Sequence, residues 1–276
     1  GVCAGMGTAN TMHIAAEALV LALPGSTPVL ANGDRMFAFA EAAGRRIVQM
    51  VNEDLRPSAI LTPQAFENAV MAGLALSASI NLVRHLQAIA AEARCPVDIY
   101  ELYDRLGPKI PLLAAVRPNG ETRIEELEAA GGTLGVMKRL GALIHRDALT
   151  VSGRTWGTEI DVAPEAGAVI RTVDNPISRK PSVIVMRGNL APEGSILKVG
   201  DAGAKQSLFE GKALVFTSQE EALAALKAGR LVRGTVAVLA GMGCRGGPGM
   251  ALASGFVAAV DGAGLSTMVA VITDGQ

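Results

Sequence analysis

With 276 residues, half of them apolar and 3% aromatic, the chain is long enough for one large domain or two ordinary ones around a sizeable core. A net charge of −1 without long charge runs excludes a nucleic-acid surface and an acidic or basic tail, and no apolar run is continuous enough to span a bilayer. Three cysteines, Cys3, Cys95 and Cys244, odd in number and far apart, exclude a disulfide framework and point to a reducing compartment, the cytoplasm.

The chain opens on Gly1-Val-Cys-Ala-Gly-Met-Gly-Thr-Ala-Asn-Thr-Met12, a cysteine between glycines just ahead of a helical apolar pattern. Such a turn at a helix N-terminus favours a thiolate and lets a bulky group approach the backbone, so Cys3 reads as a metal or anion contact, although a lone cysteine is more often a buried structural one. Met12, Ile14, Ala15, Ala18, Leu19 and Ala22 predict a helix over 11–23, stopped by Pro24-Gly25. Asn32-Gly33-Asp34 predicts a cap for a long helix over 35–55, with Arg45, Arg46 and Gln49 on its solvated face.

Thr62-Pro63 is a strong helix start. Ser77-Ala-Ser-Ile-Asn81 leads into another helix, on which Asn81 and His85, four apart, share a face. These two residues either line a cavity or serve as a satisfied cap and a core histidine. Asp98 caps a helix running to Leu106, Pro118-Asn-Gly120 is a turn, and short helices follow over 125–130 and 134–143. Ala148–Thr155 reads as strand and turn into a helix, with His145 a structural loop histidine.

A polar, proline-flanked stretch over 174–182 reads as a linker. Short β runs follow over 183–186, 195–199, 213–216, 236–239 and 269–272, with a capping box at Ser218–Glu221 opening a helix. The expected architecture is α/β: a helix-rich α/β/α domain over 1–173, then a small β-barrel-like domain over 183–276. The glycine-dense turn Gly241–Met250 offers backbone N–H groups to an anion such as a carboxylate, but lacks both the P-loop and the dinucleotide fingerprint.

Several of these stretches resemble one family in order. The opening segment is similar to the third-cysteine motif of the dihydroxy-acid dehydratase / phosphogluconate dehydratase family, in which the cysteine ligates an iron–sulfur cluster. Ile60–Ala69, Ala148–Thr155 and Gly188–Gly194 also match, so the likeness covers nearly the whole chain. Ser77-Ala-Ser-Ile-Asn81 departs from the family's Gly-Gly-Ser-Thr-Asn but keeps Ser79 and Asn81.

The resemblance implies a hydro-lyase turning a 2,3-dihydroxy acid or sugar acid into a 2-keto acid, with Cys3 as one ligand of a 2Fe–2S or 4Fe–4S cluster. It makes Ser79, Asn81, Gly246, Gly247 and Gly249 substrate contacts, and implies a homodimer. It also implies that the chain is an internal fragment, with two cluster cysteines expected before Gly1 and a catalytic serine base after Gln276. The family's magnesium-holding glutamate is replaced by Met242, which has no oxygen to offer the ion. The rival expectation is a non-catalytic, anion-binding or partner-completed remnant of the same family.

Overall fold

The computed structural model describes residues 3–199, 208–243 and 253–275. The chain divides into two compact units, Gly1–Gly203 and Ala204–Gln276. The first carries α1 (Thr8–Ala18), α2 (Asp34–Asn52), α3 (Pro57–Ile60), α4 (Pro63–Ala75), α5 (Asn81–Glu92), α6 (Ile99–Leu106), α7 (Ile124–Ala129), α8 (Gly132–Leu140), a 3-10 turn, α9 (Trp156–Val162) and the strands β1 (Val183–Met186) and β2 (Ser195–Lys198). The second carries β3 (Lys212–Phe216), α10 (Gln219–Lys227), β4 (Thr235–Leu239), α11 (Ala253–Gly262) and β5 (Val269–Thr273).

The first unit is built around α4, which is apolar nearly all round and packs against α1, α5, α6 and α8. Its start follows the local chemistry: Pro63 takes the first helical position, and Thr62 Oγ1 accepts the Ala65 N–H at 3.4 Å. The polar Asn68 survives in this core because its amide both donates to the His145 carbonyl (3.1 Å) and accepts the His145 N–H (2.8 Å). The His145 ring in turn meets Glu67 at 2.8 Å, a structural role.

Asp98 caps α6, accepting the N–H groups of Tyr100 at 2.8 Å and Glu101 at 3.2 Å. Asp98→Ala is expected to destabilise the first unit by about 1 kcal/mol. Chemical unfolding followed by the fluorescence of Trp156, the chain's single tryptophan and fully buried in this unit, measures it.

One acid lies deep in this unit. Glu17, near the end of α1, is fully buried and accepts the N–H of Gly25 (2.7 Å), the N–H of Thr27 (2.8 Å) and the Thr27 hydroxyl (2.8 Å). Burial pushes its carboxyl up to about 7, against the bonds from Gly25, Thr27 and Ser26. The same Thr27 hydroxyl lies 2.8 Å from that of Thr133, and its carbonyl accepts the Thr133 N–H at 2.9 Å. Glu17 thus ties α1 to the 25–27 turn and to the start of α8.

Three expectations are revised. Helix α1 begins at Thr8 rather than Thr11, because Gly7 adopts extended backbone and acts as the N-cap. The solvated face expected for α2 is inverted in part: the Arg46 side chain is only 11% exposed, with Nε donating to the Val151 carbonyl and the guanidinium held by Glu53 at 2.7 Å. The segment 174–182 lies along the first unit rather than between the two. Ser182 is buried and donates to the Leu74 carbonyl at 3.0 Å, and Leu112 and Ser178 bridge. The antiparallel pair β1–β2 that follows places Val183 in the first core.

The β-barrel-like expectation is also corrected. In the second unit β3, β4 and β5 form a parallel sheet in that order, in full register from Lys212↔Thr235 to Leu239↔Thr273. Helices α10 and α11 occupy the connections, which parallel pairing requires. Central β4 alternates buried and half-buried residues, and among the described residues the sheet stays open rather than closing. Phe216, Phe256, Leu239 and Met242 belong to its core. No helix among the described residues is long and apolar enough to cross a membrane.

Candidate functional site

The Cys3 loop is held from several sides. The Met6 N–H donates to the Arg117 carbonyl at 2.6 Å, and the Ala4 carbonyl accepts the Ile124 N–H at 3.0 Å. Gly5 is needed there, since a Cβ would meet the Arg117 oxygen at 2.9 Å. Beneath the loop, the fully buried Asn10 uses its amide N–H2 on the carbonyls of Gly5 (2.7 Å) and Cys3 (2.9 Å), and lies 3.6 Å from Cys3 Sγ. The thiol itself is exposed and free. It precedes the helical N-cap by four positions, beyond the reach of the helix dipole, which fades within the first turn.

The first turn of α1 also receives the 77–81 turn. Asn81 Nδ2 donates to Thr8 Oγ1 at 2.7 Å, the Ser79 and Thr8 hydroxyls lie 3.2 Å apart, and the Ser79 N–H donates to Thr11 Oγ1 at 3.0 Å. One helix end therefore joins Cys3, through Asn10, to Ser79 and Asn81, through Thr8 and Thr11. His85 is half-buried on the Asn81 face of α5.

Ser77 sits at φ 48°, a left-handed conformation unfavourable for a side chain. Its carbonyl is held by Asn119 Nδ2 at 2.9 Å and by Lys198 Nζ at 2.8 Å, and Lys198 reaches the Ala78 carbonyl at 3.2 Å as well. Burial lowers the Lys198 ammonium to about 8. Three buried polar atoms here, Asn10 Oδ1, Asn81 Oδ1 and Ser77 Oγ, have no hydrogen-bond partner among the described residues. Two of them are amide oxygens that can only accept, so a group bearing hydroxyl or N–H donors is what they lack.

In the second unit, Gly241–Gly243 follow β4 and Asp274 follows β5, both at the C-terminal edge of the parallel sheet, where α/β folds bind ligands. The leading N–H groups of the glycine loop are already used. Partial burial pushes the Asp274 carboxyl up, but the backbone N–H groups of Met242 (2.8 Å), Gly243 and Gly241 outweigh it and hold it below its ordinary value. Met242 is 5% exposed with its side chain in the apolar core, so it is a packing residue. Gly246, Gly247 and Gly249, like Cys244, lie outside the described residues.

The family's N-terminal model, "Dihydroxy-acid/6-phosphogluconate dehydratase N-terminal", matches residues 1–159, and its C-terminal counterpart matches residues 168–276. The chain belongs to the dihydroxy-acid/6-phosphogluconate dehydratase family. Dihydroxy-acid dehydratases of Ignicoccus hospitalis and Pyrococcus furiosus are each 42% identical to it over 279 residues, and that of Mycobacterium leprae 40% over 281, all covering 100% of this chain. The chain spans about half the length of these curated relatives.

Membership in a dehydratase family makes the donor set at Cys3 worth testing against an iron–sulfur cluster. An exposed thiol on a pinned glycine loop, with an amide N–H2 beside the sulfur, suits one thiolate ligand. Among the described residues no group of three or more His, Cys, Asp or Glu converges to hold a metal. The structure brings Cys3, Ser79 and Asn81 to one helix end. Thr8, Asn10, Thr11, Asn119 and Lys198, which join them, escaped the sequence reading. An asparagine inside an apolar helix start was the one local signal; the remaining partners are 42 to 121 residues away along the chain.

Proposed function

We propose that this chain is part of a hydro-lyase that converts a 2,3-dihydroxy acid or sugar acid into a 2-keto acid, and that it is inactive alone. The observation that supports the reading is that the Cys3 loop, through Asn10, and Ser79 and Asn81, through Thr8 and Thr11, are all tied to the first turn of α1. Cys3 would hold one iron of a 2Fe–2S or 4Fe–4S cluster. When bound, that cluster supplies Lewis-acid assistance to a departing hydroxyl.

The chain's own residues bind and orient. Asn10 fixes the Cys3 loop. Half-buried Ser79 and Asn81, anchored on Thr8, are the substrate contacts at that edge. Lys198 and Asn119 hold the strained turn that presents Ser79 and Asn81. Gly246, Gly247 and Gly249 enter as carboxylate contacts on the family likeness alone, as do a serine base beyond Gln276, a homodimer and a cytoplasmic location. No role is proposed for magnesium at Met242, whose side chain lies in the core.

The test is Cys3→Ser in a complete dehydratase polypeptide carrying this chain. Cluster iron and its visible absorption are expected to fall to background, together with turnover of dihydroxy and sugar acids. Full iron content and full turnover in that variant remove the assignment.

A further inference from the structure

Burial and pairing go together among the arginines of the first unit, with one departure. Among its described residues Arg46, Arg84 and Arg139 are half-buried, and the other arginines are exposed. Arg46 places its guanidinium on the Val151 carbonyl and on Glu53, and Arg139 places its own on the Ala166 carbonyl at 2.7 Å and near Glu165 at 3.7 Å. The Arg84 guanidinium has no hydrogen bond or ion pair among the described residues. The histidines repeat the contrast: half-buried His145 meets Glu67, whereas half-buried His85 has no such partner there.

These two unpaired groups lie together. Arg84 follows Asn81 by three positions on α5 and His85 follows it by four, so the three side chains share one face. The core residues Leu82, Val83, Leu86 and Ala90 occupy the other side of the helix. Asn81 and Ser79, at the start of that face, are the residues tied to Thr8. No acid stands in the first turn of α5, and the next one along the helix is Glu92, eight residues or about 12 Å beyond Arg84. A guanidinium so near the start of a helix also opposes the helix dipole, which costs stability. A half-buried cation held against the field of its own helix, with five N–H donors unmet, is stabilised by an anion that comes from outside.

We propose, on the hydro-lyase reading above, that Arg84 binds the carboxylate of the substrate acid, with Ser79 and Asn81 one turn away on its hydroxyl side. The planar fork of the guanidinium matches the two oxygens of a carboxylate. When the proton on carbon 2 passes to a base, the electron pair left behind spreads onto those oxygens, and the guanidinium offsets the charge ahead of loss of the 3-hydroxyl.

Calorimetric titration of a complete dehydratase polypeptide carrying this chain tests it. The probes are 2-hydroxybutyrate, which has no 3-hydroxyl to lose, and its carboxamide. Arg84→Leu is expected to weaken binding of the acid about tenfold to a hundredfold and to leave the carboxamide unchanged. Arg84→Lys should recover part of the loss, because it keeps the charge without the fork. Iron content and the Trp156 unfolding midpoint should match wild type in both variants. Equal affinity of wild type and Arg84→Leu for the acid overturns the assignment, as do equal losses for acid and carboxamide. A wild type that binds the acid through Arg84 yet turns over no dihydroxy or sugar acid upholds the carboxylate site and removes the hydro-lyase reading. Normal turnover by Arg84→Leu does the reverse.

Discussion

Replacing Glu17 by Gln is expected to remove the loss of stability that this acid imposes on the first unit between mildly acid and mildly alkaline solution. The carboxyl sits at about 7 in the folded chain against an ordinary 4.5, because burial disfavours its charged form. Between those values the folded state holds a proton that the unfolded chain has released. Stability from this group is therefore complete below about 4.5 and is lost as pH rises through about 7. The gap corresponds to about 3 kcal/mol.

Glutamine carries no titrating proton, so wild type should lose about 3 kcal/mol more than Glu17→Gln on going from about pH 4.5 to about pH 8. Urea unfolding read by Trp156 measures the difference, and contributions from all other titrating groups cancel in it. Parallel pH profiles for the two proteins would sink the argument. Glu17→Ala should be worse than the Gln variant at every pH. It empties buried space and leaves the Gly25 and Thr27 N–H groups unpaired, together about 3–4 kcal/mol.

Features whose cause is local could be read from the sequence. Thr62-Pro63, Asp98 and Ser218 open helices because each cap bonds an amide two or three residues on. The β runs of the second unit were readable from their branched apolar residues, yet their pairing was not. The same strands suit a closed or an open sheet, and the helices Gln219–Lys227 and Ala253–Gly262 between them decide for parallel pairing. Cys3, Ser79 and Asn81 were visible as candidates through the family motif. The residues that join them were not, because Lys198 and Ser77 become neighbours only once β2 packs beside the 77–81 turn. Glu17 gave no warning either: one acid in an apolar helix reads as solvent-facing until the turn ten residues later folds over it.

That turn carries the second large expected effect. Gly132 opens α8 at φ 57°, and a Cβ built there would stand 2.4 Å from the Thr27 carbonyl oxygen and 3.1 Å from the Pro28 ring. Neither neighbour is the free end of a flexible side chain, and the left-handed backbone adds its own penalty for alanine. Gly132→Ala should therefore destabilise the first unit by roughly 3 kcal/mol or more. The Thr27 backbone that it displaces is the one that donates to Glu17, and the Thr27 carbonyl is the one that accepts from Thr133. The two lesions strike one junction, and their effects should not add. In a double-mutant cycle with Glu17→Gln, measured through Trp156, the combined loss is expected to fall short of the sum by about 1 kcal/mol or more. Strict additivity would mean that α1 and α8 hold the 25–27 turn independently, and the single-junction account of this core would fail.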